Sequence, residues 1–112
     1  MTNRAKAKGT MFESMVRDFL RAHRVAAERM PAGMAADRGD LAGVRDWTLE
    51  LKNYTDMIRA VRDGLADLAR EQTNAGTPFG AVIVKRRGTT DPARQLVVME
   101  LDTFARLVGG AP

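Results

Sequence analysis

Two acids and a lysine can be brought together by a short β-hairpin in the middle of the chain. Side chains alternate strictly over residues 47–53, so Glu50 and Lys52 share one face of the predicted strand. A turn at residues 43–46 would fold the preceding arm back and carry Asp40 towards them. Two carboxylates beside an ammonium can hold a divalent metal and a water next to a phosphate. The pattern therefore predicts the chemistry of a metal-dependent nuclease.

The composition excludes several other kinds of chemistry. The chain has no cysteine, which excludes disulfides, thiolate zinc sites and a cysteine nucleophile. Its single histidine, His23, argues against histidine metal sites and Ser-His-Asp triads. The metal ligands then have to be hard oxygen atoms, which favours Mg²⁺, with Mn²⁺ as a substitute, and we expect no organic cofactor.

Length and charge indicate one basic globular domain, residues 1–112. Hydrophobic residues make up 45% of the chain and charged residues 29%, as in ordinary folded domains. The net charge of +4 is a modest excess that is compatible with a nucleic-acid partner. The basic N-terminus lacks the apolar segment of a signal peptide, and no apolar run reaches the roughly 20 residues that cross a bilayer. We therefore expect a cytoplasmic protein without a membrane partner.

The first predicted helix carries another acid, Glu13. Residues 1–9 hold Lys6 and Lys8 among small residues, and we expect a flexible basic arm that is either a solvated tail or a contact to phosphate. The pattern from Thr10 to Glu13 is that of a capping box, so the helix is predicted to begin at Thr10. Glu13 also lies at the edge of the apolar stripe. It either caps the helix or joins the acids of the hairpin.

The whole pattern predicts an α/β fold in the order α-β-β-β-α-β-β-α, with a central mixed sheet flanked by helices. A strand is predicted at residues 25–30 and a flexible loop at 31–39. A long crossover helix is predicted from Thr55 or Asp56 to Gly76. Its apolar positions are Met57, Ile58, Val61, Leu65, Leu68 and Ala69. Its opposite side carries charges of both signs and is predicted to be a solvated face or a partner interface: Arg59, Arg62, Asp63, Asp67, Arg70 and Glu71.

Two strands and a last helix complete the predicted fold. Residues 79–84 are continuously apolar, as in a strand buried on both faces, and residues 95–100 predict another strand. Asp102 is predicted to cap a helix whose apolar residues pack inward: Leu101, Phe104, Leu107 and Val108. Cations that could either bind phosphate or simply aid solubility follow the buried strand and precede Asp40. They are Lys85, Arg86, Arg87 and Arg38.

The motifs and their order resemble the PD-(D/E)XK nuclease superfamily, and within it the small Holliday junction resolvases of archaeal and phage type. Residues 50–52 are similar to the family's acid-x-lysine step. Gly39-Asp40 is similar to its Pro-Asp step, with glycine in place of proline. Residues 8–13 and 37–43 look most like resolvases of actinobacterial phages. The resemblance covers nearly the whole chain and implies a restriction-endonuclease-like core.

The resemblance implies a homodimeric endonuclease that makes paired, symmetric nicks in branched DNA, a four-way junction, inside the host bacterial cytoplasm. Asp40 and Glu50 would bind the metal, and the backbone carbonyl of Leu51 would be a further ligand. Lys52 would orient the attacking water or help to deprotonate it. Glu13 would complete the acidic cluster and hold a second metal or its water. Phosphate contacts are assigned to Lys6, Lys8, Arg38, Lys85, Arg86 and Arg87.

Two other functions stay open at this point. The superfamily reuses one core on many substrates, so the chain could act on flaps, forks or plain duplex DNA in phage replication or repair. It could also be a non-catalytic DNA-binding or assembly domain. The presence of all four residues Glu13, Asp40, Glu50 and Lys52 argues against the last possibility, because an inactive descendant would be free to lose any of them.

Overall fold

The computed structural model describes residues 3–31 and 37–110, which form a five-stranded mixed sheet with helices packed against it. The elements in chain order are α1 (Asn3–Ala22), β1 (Glu28–Arg29), β2 (Leu41–Ala42), β3 (Trp47–Lys52), α2 (Met57–Ala75), β4 (Phe79–Val84), a 3-10 turn (Pro92–Arg94), β5 (Leu96–Val98) and α3 (Leu101–Gly109). The prediction of an α/β protein with a mixed sheet flanked by helices is confirmed.

The strands lie in the sheet in the same order as in the chain. The central pair, β3 and β4, is parallel over its full length, from Trp47 opposite Phe79 to Lys52 opposite Val84. Helix α2 is the crossover that a parallel pair needs. The other neighbours are antiparallel. The strands β1 and β5 form the edges of the sheet, and both are shorter than the sequence predicted.

The two faces of β3 are covered by different helices. Leu49 and Leu51 pack on one face with Phe12 and Val16 of α1. Because side chains alternate along a strand, Thr48, Glu50 and Lys52 point to the opposite face, where α2 packs. Asp56 caps α2 by accepting from the Arg59 N–H (3.0 Å), and Gly76 ends it in the left-handed region at φ +69°, as predicted. The polar face of β3 is thus turned towards the middle of a long, well-capped helix.

The N-terminal segment is helical, so the prediction of a flexible arm is wrong for residues 3–9; residues 1 and 2 lie outside the described part. Helix α1 begins at Asn3 and passes through Thr10. Alanine, lysine and arginine have high helix propensities. Glycine inside a helix costs roughly 1 kcal/mol relative to alanine, and the burial of Phe12 and Val16 offsets the cost at Gly9. Thr10 therefore lies inside the helix, and a capping box at Thr10–Glu13 is excluded.

Helix α3 exposes the apolar side chains that were predicted to pack inward. Phe104 is 50% exposed and Leu101 is 79% exposed, with Leu107 and Val108 also exposed, while Thr103 is buried. The N-cap residue is Glu100, not Asp102. The helix follows the edge strand β5, so the sheet can cover just one narrow side of it. An apolar surface remains on this side of the protein.

The loop predicted at residues 31–39 lies in part outside the described residues. In the described parts of the chain, no helix combines the length and the apolar character that crossing a membrane requires.

Candidate active site

The hairpin of β2 and β3 holds Asp40 beside Glu50. The Asp40 N–H donates to Leu49 O (2.8 Å), and Asp40 Oδ2 accepts from the Leu51 N–H (2.8 Å). Leu41 is directly opposite Leu49 in the antiparallel register. Asp40 is therefore bound to β3 at the residues on either side of Glu50, and Glu50 lies buried between these two partners. This is the convergence that the alternating pattern predicted.

Gly39 allows the chain to approach β3 this closely. Its φ is +98°, and a Cβ at this position would lie 2.8 Å from Leu49 O. Its N–H donates to Asp37 Oδ1 (3.0 Å), which orders the loop before Asp40. Proline is fixed near φ −65° and could not take this conformation. The glycine that stands where the resemblance has proline is thus explained by the backbone.

Glu50 and Lys52 lie side by side on the face of β3 that α2 covers. Glu50 is buried, and Lys52 Nζ lies 3.1 Å from Glu50 Oε2 and 2.6 Å from Asp67 Oδ2. Burial acts to lower the pKa of Lys52, but the hydrogen bond to Asp67 and the charge of Glu50 outweigh it, and the pKa is raised. Lys52 is therefore a charged donor held between two carboxylates.

Helix α2 brings two further acids to the site, Asp67 and Glu71, which lie one turn apart. Both were predicted on the mixed-charge side of the helix, as part of a solvated face or a partner interface, and that prediction is wrong. Asp67 bonds Lys52, and Glu71 is only 2% exposed. The sequence does contain a signal, because the buried small residues Ala60 and Gly64 define a helical stripe on which Glu71 also falls. The predicted apolar side of α2 does not include Ala60 and Gly64, although both are buried, and it includes Ile58, which is exposed.

The acids form a chain of pairwise contacts across the site. Asp40 and Glu71 both lie close enough to Glu50 to affect its ionisation, and Asp37 lies close enough to Glu71 to affect the ionisation of that residue. Burial, reinforced by Asp40, raises the pKa of Glu50 to about 10. Burial is also the main cause that raises the pKa of Glu71 to about 8, with Asp37 adding to the rise. Lys52 opposes these effects without cancelling them, so like charges and burial dominate this part of the site.

Two buried oxygens of the acid chain, Glu50 Oε1 and Glu71 Oε1, accept no hydrogen bond from the residues that the structure describes. An unpaired buried polar atom costs roughly 1–3 kcal/mol, and more when it is charged. A proton or a cation at these oxygens would remove the cost. Carboxylate oxygens are the donors that Mg²⁺ and Mn²⁺ prefer, so the residues fit such an ion chemically.

The acids of the site do not form a complete set of metal ligands in the part of the chain that the structure describes. Over residues 3–31 and 37–110, no three or more Asp, Glu, His or Cys side chains are gathered around one point in a metal-ligating group. The fit to a divalent cation therefore rests on the chemistry of the donors and on their unpaired oxygens.

Glu13 lies next to the hairpin, and its role is not that of a helix cap. Its side chain is 25% exposed, and Arg29 Nε of β1 lies 3.1 Å from Glu13 Oε1. Burial and the nearby charge of Asp40 raise the pKa of Glu13, against the opposing effect of Arg29. Because α1 begins at Asn3, the capping alternative is excluded. Glu13 extends the acidic site on the α1 side.

Lys8, Lys85, Arg86 and Arg87, four of the six cations assigned to phosphate binding, line one cleft of about 240 Å³ beyond the end of β3. The cleft also includes Asn53, which directly follows Lys52. Lys85 Nζ donates to the carbonyls of Arg86 and Thr89, and Arg87 Nη1 donates to Thr55 O (3.3 Å). Lys85 thus orders the loop that presents the arginines.

The remaining two cations, Lys6 and Arg38, are exposed and do not line this cleft. Lys6 lies on α1 near Lys8, and Arg38 lies in the loop between Asp37 and Gly39. Both can contribute to the positive charge of the surface, but the structure does not bring them into the cleft.

Comparison with known proteins gave no significant match to a family model, to a curated protein or to a solved structure. The function is therefore argued from the geometry of this site.

Proposed function

We propose that this protein is a metal-dependent DNA endonuclease with a restriction-endonuclease-like core of the PD-(D/E)XK type. More specifically, we propose a Holliday junction resolvase that cuts a four-way junction with paired, symmetric nicks. The observation that carries the proposal is the joint placement of Asp40, Glu50 and Lys52 on one hairpin. There a buried carboxylate with an unpaired oxygen lies beside a charged amine.

Asp40 and Glu50 would hold the divalent ion, Mg²⁺ or Mn²⁺, with the backbone carbonyl of Leu51 and Glu13 as further ligands. When bound, such an ion polarises the scissile phosphate and lowers the pKa of a coordinated water. The chain itself supplies the rigid positions. Asp40 is fixed through Leu49 and Leu51, and Glu50 is fixed by its place in the central strand.

Lys52 would orient the attacking water and stabilise charge on the phosphate. Its ammonium is bound by Glu50 and Asp67, and these partners favour the protonated form. A charged amine can donate to a phosphate oxygen, but it cannot accept a proton. This argues for an electrostatic role of Lys52 and against a role as the general base.

The cleft beyond β3 would hold the DNA backbone next to the cut. Lys8, Arg86 and Arg87 line it, and Asn53 connects it to Lys52 along the chain. Phosphate contacts of this kind position a duplex without reading its sequence. They weaken at higher salt concentration, because releasing the counterions of DNA into the solution is then less favourable. The proposal therefore implies binding that is sensitive to salt and largely independent of sequence.

Two matched nicks require two active sites, which a symmetric homodimer supplies. The apolar surface of α3 supports a dimer, because Leu101, Phe104 and Val108 are each at least half exposed. Exposed apolar residues in one patch are typical of protein interfaces. β5 is also an edge strand, with one side open for a partner.

The test is a cleavage assay with labelled four-way junction, flap and linear duplex, each with Mg²⁺ or with EDTA. The variants are Asp40→Asn and Glu50→Gln, and the control is Glu100→Gln, an exposed acid away from the site. We expect paired nicks in the junction that need the metal and are lost in both site variants while binding persists. Equal cutting of linear duplex would instead assign a less selective nuclease. Binding without cutting, in Mg²⁺ and in Mn²⁺, would refute the proposed enzymatic activity.

A further inference from the structure

We propose that an apolar cleft beside α1, here named the α1 cleft, binds a single nucleobase that has left the stack of branched DNA. The α1 cleft has a volume of about 400 Å³ and lies between α1 and the segments that follow β3 and β4. The proposal rests on the proposed DNA endonuclease and adds the feature by which branched DNA would be told from plain duplex. A base whose pairing is already disturbed leaves the stack at lower cost than a base of continuous duplex.

Most of the wall of the α1 cleft comes from one face of α1, because residues three and four positions apart lie on the same side of a helix. Its apolar members are Ala7, Met11, Phe12 and Met15. Phe12 belongs to the buried core, whereas Met11 is 73% exposed, so the apolar wall runs from the core to the surface. Mostly apolar clefts of this volume with a few polar groups are typical of sites that bind small organic groups.

The charges around the α1 cleft indicate which kind of ligand it would take. Three cations line it, Arg4, Lys8 and Lys85, and no acid is among the described residues that do so. A purely apolar ligand would make no use of these charges. A nucleotide matches both properties, because its base has apolar faces and its phosphate is negatively charged.

The α1 cleft is continuous with the cleft beyond β3 that is proposed to hold the DNA backbone. The two clefts share Lys8, Asn53 and Lys85. Asn53 Nδ2 lies 3.5 Å from Lys8 O, and the Lys85 N–H donates to Lys52 O (3.0 Å), so the shared residues are tied to α1 and to the end of β3. DNA phosphates bound among the cations would therefore bring an adjoining base to the α1 cleft.

The side chains of the α1 cleft suit the faces and the edges of a base. The methionine thioether is polarizable, adapts to irregular shapes and makes favourable contacts with aromatic rings. Met11 and Met15 would thus contact the base without regard to its identity. The amide of Asn53 and the hydroxyl of Thr90 also line the cleft and can hydrogen-bond to a base edge. We expect a site that takes any of the four bases.

The probe is a linear DNA duplex with one extra, unpaired nucleotide, compared with the same duplex without it. Binding is measured by fluorescence anisotropy in EDTA, so the readout needs neither a metal nor cleavage. We expect the wild type to bind the bulged duplex at least tenfold more tightly. Met11→Ser should reduce that preference at least threefold and leave the affinity for plain duplex unchanged, because the cations stay in place. The matched control, Ile58→Ser, replaces an exposed apolar side chain of α2 that does not line the α1 cleft, and it should keep the full preference.

A second variant, Ala7→Leu, fills the α1 cleft with a larger apolar side chain. Ala7 is exposed on α1, and leucine is also a good helix former, so the fold should persist while the preference for the bulged duplex falls. An unchanged preference in both Met11→Ser and Ala7→Leu would overturn the proposal. A fall in the sedimentation mass of Met11→Ser with an unchanged preference would also overturn it and assign the cleft to a contact between copies of the chain.

The same measurements separate this proposal from the proposed function. A wild type that binds both duplexes equally and still cuts junctions would overturn the base site and leave the endonuclease intact. A wild type that prefers the bulged duplex but cuts nothing would support the base site and refute the enzymatic activity. A protein that binds neither duplex and no junction would remove both.

Discussion

The contact between Lys52 and Asp67 predicts a variant, Asp67→Asn, that alters both stability and cleavage. The Lys52 ammonium lies 2.6 Å from Asp67 Oδ2, with side-chain exposures of 14% and 32%. Asparagine keeps an oxygen that can accept from Lys52 but removes the negative charge. Lys52 keeps its contact with Glu50, and its bond to residue 67 no longer joins two charged groups.

The expected loss of stability is about 1 kcal/mol. A hydrogen bond between charged groups contributes roughly 1.5–3 kcal/mol. Partial exposure of Asp67 and the acceptor retained in asparagine both reduce that range. For a domain of this size, about 1 kcal/mol corresponds to a fall of roughly 4 °C in Tm. Because one of its two contacts is weakened, Lys52 is positioned less firmly. We therefore expect cleavage to slow by about tenfold, with little change in DNA affinity.

The assay combines thermal unfolding with single-turnover cleavage of the junction. Asp63→Asn is the matched control, since Asp63 lies one turn earlier on α2 with 33% side-chain exposure and pairs with arginines near solvent. It should change Tm by less than about 1 °C. A double-mutant cycle with Lys52→Met then isolates the coupling between Lys52 and Asp67. A coupling energy near zero, or equal effects of the Asp63 and Asp67 variants, would refute the reasoning.

Three further predictions follow from the acid chain, the helix contact and the apolar surface. In EDTA, urea unfolding should show the free energy of unfolding falling as pH rises from about 5 to about 8, because folding raises the pKa values of Glu71 and Glu50 above those of the unfolded chain. The stability that these groups contribute is complete below their unfolded pKa and is lost as pH rises through their folded pKa. A free energy of unfolding that does not change with pH would contradict this prediction. Gly64→Ala should cost about 1–3 kcal/mol in the same assay, since its Cβ would overlap Val82 Cγ1, and Val82→Ala should recover part of the loss; an unchanged unfolding midpoint would argue against tight packing. Phe104→Arg should convert a dimer to a monomer in analytical ultracentrifugation while Tm stays near the wild-type value, and an unchanged mass would place the interface elsewhere.

The hairpin could be predicted from the sequence because its signals are local. Strict alternation determines that Glu50 and Lys52 share a face, and a turn with Gly43 at φ +81° brings the arms together. The predicted turn agrees with the structure, in which Leu41 pairs with Leu49. Each of these depends on neighbours within about ten residues, so no knowledge of the tertiary fold was needed.

The burial of the acids of α2 could not be predicted in the same way, because charged side chains on a helix usually face solvent. Asp67 and Glu71 are charged, and charged residues are rarely buried unless they are paired or coordinate a metal. Here their partners, Lys52 and Glu50, come from a different element. Sequence periodicity places the two acids on the helix, but it does not show which residues of β3 they contact when α2 packs on the sheet.

The N-terminal helix and α3 show a second reason for the errors, which is that burial depends on what covers each element. The positive charge of the segment before Thr10 indicated a flexible arm. Its alanines and lysines also favour a helix, and in the structure this segment is the first part of α1. The apolar spacing of α3 was correctly taken as amphipathic. Its apolar side nevertheless faces outward, because α3 lies beside an edge strand that cannot cover it.

The site is built by close packing between a helix and a strand as much as by the acid-x-lysine motif. Ala60 and Gly64 are small, and Gly64 lies directly against Val82 of β4, next to β3 in the sheet. A larger residue at Gly64 would push α2 away from the sheet. Asp67 and Glu71 have short side chains, so even a small outward shift of α2 would break the 2.6 Å contact to Lys52 and separate Glu71 from Glu50. The small residues of α2 therefore set the distance at which its acids can act on the hairpin.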